Sequence, residues 1–122
     1  MELNQTYTSH GTVTEQMLAS TVGSGGLRVL STPMLIALME NAAMRCVASS
    51  LPEGSTTVGG RIDCTHLRPT PKGQAIHATA TLTAIDGHKL SFRITAEDQG
   101  GTIGEATHTR FIVNAQRFMS KL

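Results

Sequence analysis

One carboxylate stands apart in this 122-residue chain. Glu40 sits inside the run from Met34 to Val47, whose residues are good helix formers and are apolar on almost every face. Thr32 followed by Pro33 reads as an N-cap with proline at the first helical position, where the missing N–H costs nothing and φ already suits a helix. A helix that is apolar all round belongs in an interior. Glutamate is rarely buried without a partner, and a carboxylate stripped of water becomes a stronger base and a better nucleophile. The pattern therefore predicts either an acid–base or nucleophilic site at Glu40, or a structural acid paired with Arg45 or Arg61.

Around that helix the chain has room for one ordinary domain spanning residues 1–122, large enough for a real core. A net charge of +1 provides no electrostatic footprint for nucleic acid or an anionic membrane. One Tyr, three Phe and no Trp argue against base-stacking platforms. The two cysteines, Cys46 and Cys64, are too few for a disulfide framework and lie in apolar patterns, as small core residues in a reducing compartment do. The N-terminal residues lack a basic segment followed by an apolar run, and no stretch reaches the ~18 apolar residues of a membrane span, so a cytoplasmic protein is expected. His10, His77, His88 and His108 show no clustering with acidic ligands, so no metal site is expected.

Taken in order, the chain predicts a strand around Thr12–Met17, then a flexible glycine-rich segment over Ser20–Gly26. That segment lacks the order of a phosphate-binding loop and reads as a flap or linker. The helix is predicted from Pro33 to about Ser50, ~27 Å long, stopped by Leu51-Pro52-Glu53-Gly54. The period then changes to two. Thr56–Leu67 reads as a strand rich in β-branched residues. Its His66 lies on the Ile62/Cys64 side, where a satisfied core histidine is the ordinary occupant, and Gly59-Gly60 could make a bulge. Ala75–Ile85 alternates cleanly, with Ile76, Ala78, Ala80, Leu82 and Ala84 on one face. Asp86-Gly87 signals a hairpin into a strand that buries Leu90, Phe92, Ile94 and Ala96. A last strand runs from Thr102 to Val113. Small inward residues let a helix lie close, and short hairpins imply antiparallel neighbours. The fold expected is α+β: one long central helix wrapped by an antiparallel sheet of about five strands.

Three segments, T-P-M-L-I-A-L-M-E-N-A-A, T-T-V-G-G-R-I-D-C-T-H-L-R-P-T-P-K-G and T-H-T-R-F-I-V-N, with A-T-L-T-A-I-D-G-H-K-L-S-F-R-I-T-A-E-D between the last two, resemble the hot-dog fold thioesterases of the fluoroacetyl-CoA thioesterase-like family. The resemblance covers about Ser31 to Asn114. It implies a hot-dog fold and a homodimer joined edge to edge, with two active sites at the subunit interface and a small acyl-CoA as substrate. It needs no cofactor beyond the CoA of that substrate. It implies a catalytic Thr/Glu/His group at Thr32, Glu40 and His66, with Gly59 near the thioester and Arg110 lining the acyl pocket. The family's fluoroacetyl-specific member is associated with aromatic lid residues ahead of the helix. This chain has Gly23, Ser24, Gly25 and Gly26 there and no Phe before Phe92, so a different or broader small acyl group is expected.

Thr32 and Glu40 are eight positions apart, which on a helix is ~80° of rotation and ~12 Å of rise. They cannot touch through the helix and must converge on a substrate laid beside it or across a dimer interface. Hydrolysis of a thioester needs an activated water or nucleophile, a polarised carbonyl and a proton for sulfur. A carboxylate, an imidazole and a hydroxyl beside helix N–H groups can supply these. Two other classes remain open at this level: a non-catalytic acyl-CoA or acyl-carrier binding module, and a hydratase using Asp63 with His66.

Overall fold

The structure, a computed structural model, describes residues 1–122. Five strands form one antiparallel sheet: β1 (Thr6–Thr12), β2 (Ser55–His66), β3 (Ala75–Asp86), β4 (Lys89–Asp98) and β5 (Gly101–Asn114). Their order across the sheet is β1-β3-β4-β5-β2, so β2 is a free edge. A single turn of helix, α1 (Ala19–Val22), precedes the long helix α2 (Thr32–Ala48), and a short helix, α3 (Ala115–Ser120), follows the last strand. The sheet curls around α2, and this arrangement is the hot-dog fold.

The alternation in β3 and β4 sets which face of the sheet meets the helix. Ile76, Ala78, Ala80 and Leu82 from β3 and Leu90, Phe92, Ile94 and Ala96 from β4 are buried against Leu35, Met39, Ala42, Ala43 and Val47 of α2. Close approach depends on a residue without a side chain. A Cβ on Gly104 would lie 2.9 Å from Leu35 Cδ2 and 3.1 Å from Met39 Cε, so a larger residue there would force the tips of those two side chains to shift.

Four expectations need correction. No strand covers Thr12–Met17: the first strand is Thr6–Thr12, and it ends there because its partner β3 begins at Ala75, opposite Thr12, and offers no backbone beyond that point. Glu15–Met17 is instead one turn of 3-10 helix. Ala84 is exposed, since a bulge between Leu82 and Ala84 breaks the alternation that otherwise buries this face. Only one face of α2 is covered within the chain: Leu35, Met39, Ala42, Ala43, Cys46 and Val47 are buried, whereas Thr32 and Ala37 are exposed and Met34, Ile36, Leu38 and Met44 are half-buried. A single sheet can cover only one side of a cylinder, so the apolar pattern over-reached. The N-cap is Ser31 rather than Thr32: its side chain accepts from Met34 N at 3.3 Å, which places Thr32 at the first helical position and Pro33 at the second.

That assignment predicts that Ser31→Ala lowers stability by about 1 kcal/mol, the usual cost of losing a cap. Thr32→Ala should leave that cap intact, so hydrogen exchange at Met34 N should quicken in Ser31→Ala and stay unchanged in Thr32→Ala.

Candidate active site

The candidate residues fall into two groups along α2. The first lies at its N-terminal end. Because Ser31 satisfies the helix start, the Thr32 hydroxyl is free to turn outward, and its Oγ1 shares a hydrogen bond of 2.8 Å with His66 Nδ1. His66 is the last residue of β2, on the same side of the strand as Ile62 and Cys64. Burial pushes its imidazole below the ordinary histidine value of 6.5, against an opposing backbone contact from Arg68. Its Nε2 is shielded from solvent and has no hydrogen-bond partner within the chain. A cleft of about 300 Å³ opens beside the pair, lined by Ser24, Leu30, Thr32, His66 and Arg68 among others. The glycine-rich segment thus forms part of its wall, where one helical turn ends at Gly23 with φ +88°.

The loop leaving His66 is pinned. Asp98 accepts from Arg68 Nη2, from the Thr70 hydroxyl at 2.9 Å and from Gly100 N at 2.7 Å. Burial alone would raise this carboxyl, but those donors outweigh it and hold it below its ordinary value. The strand end carrying His66 is therefore tied to the β4–β5 turn.

The second group sits midway along α2. Glu40 Oε2 lies 3.7 Å from Arg110 Nη1, with the arginine side chain 8% exposed and the glutamate 41%. Glu40 pairs with neither Arg45 nor Arg61. Arg45 donates to the Tyr7 hydroxyl at 3.0 Å, and the main-chain oxygen of Arg61 accepts from His108 Nδ1 at 2.6 Å. Arg110 is held on three sides: Nε donates to Thr57 Oγ1 at 2.8 Å, Nη2 to Thr57 O at 2.9 Å and Nη1 to His108 Nε2 at 3.3 Å. A carbonyl can only accept, so His108 must carry its proton on Nδ1 and present a bare Nε2 to the guanidinium. Burial, aided by the Arg110 charge, pushes the His108 imidazole below its ordinary value, against the opposing pull of the Arg61 carbonyl and Glu40. Gly59 closes the group. A Cβ there would lie 2.8 Å from Glu40 Oε2, 3.4 Å from Arg110 Nη1 and 3.5 Å from His108 Cε1. The neighbouring Gly60 is the extra residue of a bulge, the register shifting between Gly59 and Arg61.

Thr32 and His66 thus meet, and so do Glu40, Gly59 and Arg110. Within one chain no hydrogen bond or ion pair joins the two groups. Asp63, on the opposite side of β2 from His66, is exposed, so the pair needed for a hydratase does not form on one face. His108 and Thr57 were not singled out from sequence. The available signal was His108 and Arg110 at period two with Ile112 in β5, three inward positions of which two are polar.

Residues 13–116 match the family model described as "Fluoroacetyl-CoA-specific thioesterase". A fluoroacetyl-CoA thioesterase of Streptantibioticus cattleyicolor is 35% identical over 94 residues, 77% of this chain and 68% of that protein. A solved structure of a threonine-to-serine variant of the fluoroacetyl-CoA enzyme FlK in complex with acetyl-CoA superposes with a TM-score of 0.94 at 28% identity, covering 99% of this chain and 96% of that one. A thioesterase superfamily member from Thermus thermophilus shares the fold alone, with a TM-score of 0.91 at 20% identity over 98% of this chain and 89% of that one.

The tight fit at Gly59 makes a prediction independent of any activity. In Gly59→Ala the added methyl overlaps only the mobile end of Glu40, with Arg110 Nη1 and His108 Cε1 near ordinary contact distance, so unfolding free energy should change by less than about 1 kcal/mol. A crystal structure of the variant should show the carboxylate swung away from Arg110, beyond the 3.7 Å of the parent chain.

Proposed function

The chain belongs to the fluoroacetyl-CoA-specific thioesterase family, and from that premise we propose that it hydrolyses a small acyl-CoA thioester to a carboxylate and free CoA, using Thr32, Glu40 and His66. The observation that carries this reading is the 2.8 Å bond between Thr32 and His66 at the start of α2, with the unpartnered His66 Nε2 beside a cleft. Hydrolysis asks for a proton at the leaving sulfur and a base at the attacking water. In this reading the Thr32 hydroxyl donates to His66 Nδ1, so that Nε2 carries a proton and hydrogen-bonds the leaving sulfur. Glu40, aimed by Arg110, takes a proton from the water that adds to the carbonyl carbon and delivers it to the thiolate as the C–S bond breaks. Helix N–H groups at the start of α2 stabilise the developing oxyanion. Arg110 and Gly59 bound the acyl pocket. No cofactor is needed beyond the CoA of the substrate.

One chain keeps Glu40 on a different turn of α2 from the Thr32–His66 pair, ~12 Å along the helix. The proposal therefore includes a homodimer in which His66 of one subunit works with Glu40 of the other. The free edge of β2 and the uncovered apolar positions of α2 support it. An open glycine-rich wall at Ser24 supports a small acyl group other than, or broader than, fluoroacetyl. No helix is long and apolar enough to cross a membrane. Two free cysteines accord with a cytoplasmic setting.

The test is a panel of acyl-CoAs with a thiol-detecting dye. Glu40→Gln and His66→Ala should each lower kcat by about 10²–10⁴-fold. Dissociating and mixing the two inactive variants should restore about a quarter of the wild-type rate, because half of the random dimers carry one intact site of two. No restoration sinks the shared site, and no turnover by wild type on any acyl-CoA sinks the hydrolase reading.

The pH profile provides a second check. Protonating His66 at both nitrogens removes the acceptor for Thr32. Burial shifts that protonation below 6.5, so kcat/KM should hold constant down through neutral pH and fall only at pH below the ordinary histidine range.

A further inference from the structure

A third feature lies outside both groups. A cleft of about 450 Å³ separates α3 from the ends of β2 and β5, with Pro52, Ser55, His88, Ile112, Arg117, Phe118 and Lys121 on its walls. Its size falls in the ~300–1,000 Å³ range of small-molecule sites. Arg117 in α3 and Lys121, the residue that caps its C-terminal end, are four residues apart and so share a face, with Phe118 beside them. His88 enters from the β3–β4 turn, held by Ile112 N donating to its carbonyl at 2.9 Å. The helix is fixed in place by its own cap, Asn114 Oδ1 accepting from Arg117 N at 2.9 Å, and by Ala115 N donating to Gly54 O at 2.9 Å.

Charge and composition define what this cleft can hold. No carboxylate lines it, and the ion pairs of the chain all lie elsewhere, leaving the Arg117, Lys121 and His88 side chains unpaired. Exposed cations beside Ile112, Val113 and an exposed phenyl ring suit a ligand that is anionic at one end and flat and aromatic at the other. Arginine and lysine bind phosphate oxygens through charge-assisted hydrogen bonds, and a phenyl ring stacks on a purine. Position adds to chemistry. Ser55 and Ile112 lie on the inward sides of β2 and β5, as Gly59 and Arg110 do, and Ser55 is four residues from Gly59, ~13 Å along the strand.

We infer that the cleft between α3 and the β2/β5 ends binds the 3′-phosphorylated adenosine diphosphate end of the CoA thioester, with Arg117 and Lys121 on its phosphates and Phe118 against its adenine. This rests on the thioesterase reading for the identity of the ligand, and its test is separable from that reading.

Adenosine 3′,5′-bisphosphate is titrated by calorimetry into the full chain and into the Arg117→Ala/Lys121→Ala double variant. Both positions are exposed on a terminal helix, and circular dichroism verifies that the variant is folded. The expected result is saturable binding to wild type, weakened about tenfold or more in the double variant and reduced by added salt. In the kinetic arm, wild type should prefer acetyl-CoA over acetyl-3′-dephospho-CoA and over acetyl-pantetheine, which lacks the nucleotide, by their KM values. The double variant and Phe118→Ala should lose that preference. Wild type that binds no bisphosphate, or a double variant whose affinity stays within about twofold of wild type, overturns the assignment. Hydrolysis with no effect of the nucleotide removes the cleft and leaves the catalytic proposal standing. Bisphosphate binding that depends on Arg117 and Lys121, without turnover of any thioester, keeps the cleft and removes the hydrolase.

Discussion

A guanidinium buried between sheet and helix is the constraint on which the middle of this structure turns. Taking a charge out of water costs several kcal/mol unless every donor finds a partner. Arg110 meets that condition through Thr57, which accepts twice from it, through His108 Nε2 and through the nearby Glu40 carboxylate. The consequences spread outward. His108 must be a neutral imidazole with its proton on Nδ1, a state enforced by the Arg61 carbonyl on its other side. Gly59 leaves room for this convergence: a Cβ there would press on the carboxylate at 2.8 Å, with the guanidinium and imidazole just beyond it. Glu40 in turn has one direction in which its charge is answered. A single buried cation thereby fixes the rotamers of residues on α2, β2 and β5 together.

The two ends of the long helix are treated differently by the same logic. At the N-terminal end, Ser31 takes the capping role, and this leaves the Thr32 hydroxyl to a histidine rather than to the backbone. The residues after His66 are anchored by Asp98, whose acceptors are filled by Arg68, Thr70 and Gly100. The β2 strand therefore presents its last imidazole from a held position even though the strand is a sheet edge. Beyond the helix C-terminus, the cationic residues of α3 have no acid to answer them, in contrast with Arg110 and Arg68.

Local sequence patterns determined much of the architecture because each depends on neighbours a few residues away. Period-two alternation in β3 and β4, the Asp86-Gly87 turn and the proline near the helix start are such patterns, and they located the central helix and the strands that cover it. The family motifs marked Thr32, Glu40, Gly59, His66 and Arg110 as candidates. Tertiary structure alone decided three things. It gave the Thr32 hydroxyl, left free by the Ser31 cap, a partner in His66, which arrives from 34 positions away. It turned Ala84 outward, since a bulge is a property of paired strands rather than of either one. It paired Glu40 with Arg110 rather than with Arg45 or Arg61, because sequence separation does not report which strand crosses beneath a helix. Side-chain type and period are inherited from the chain itself; partners are assigned only when distant segments close on one another.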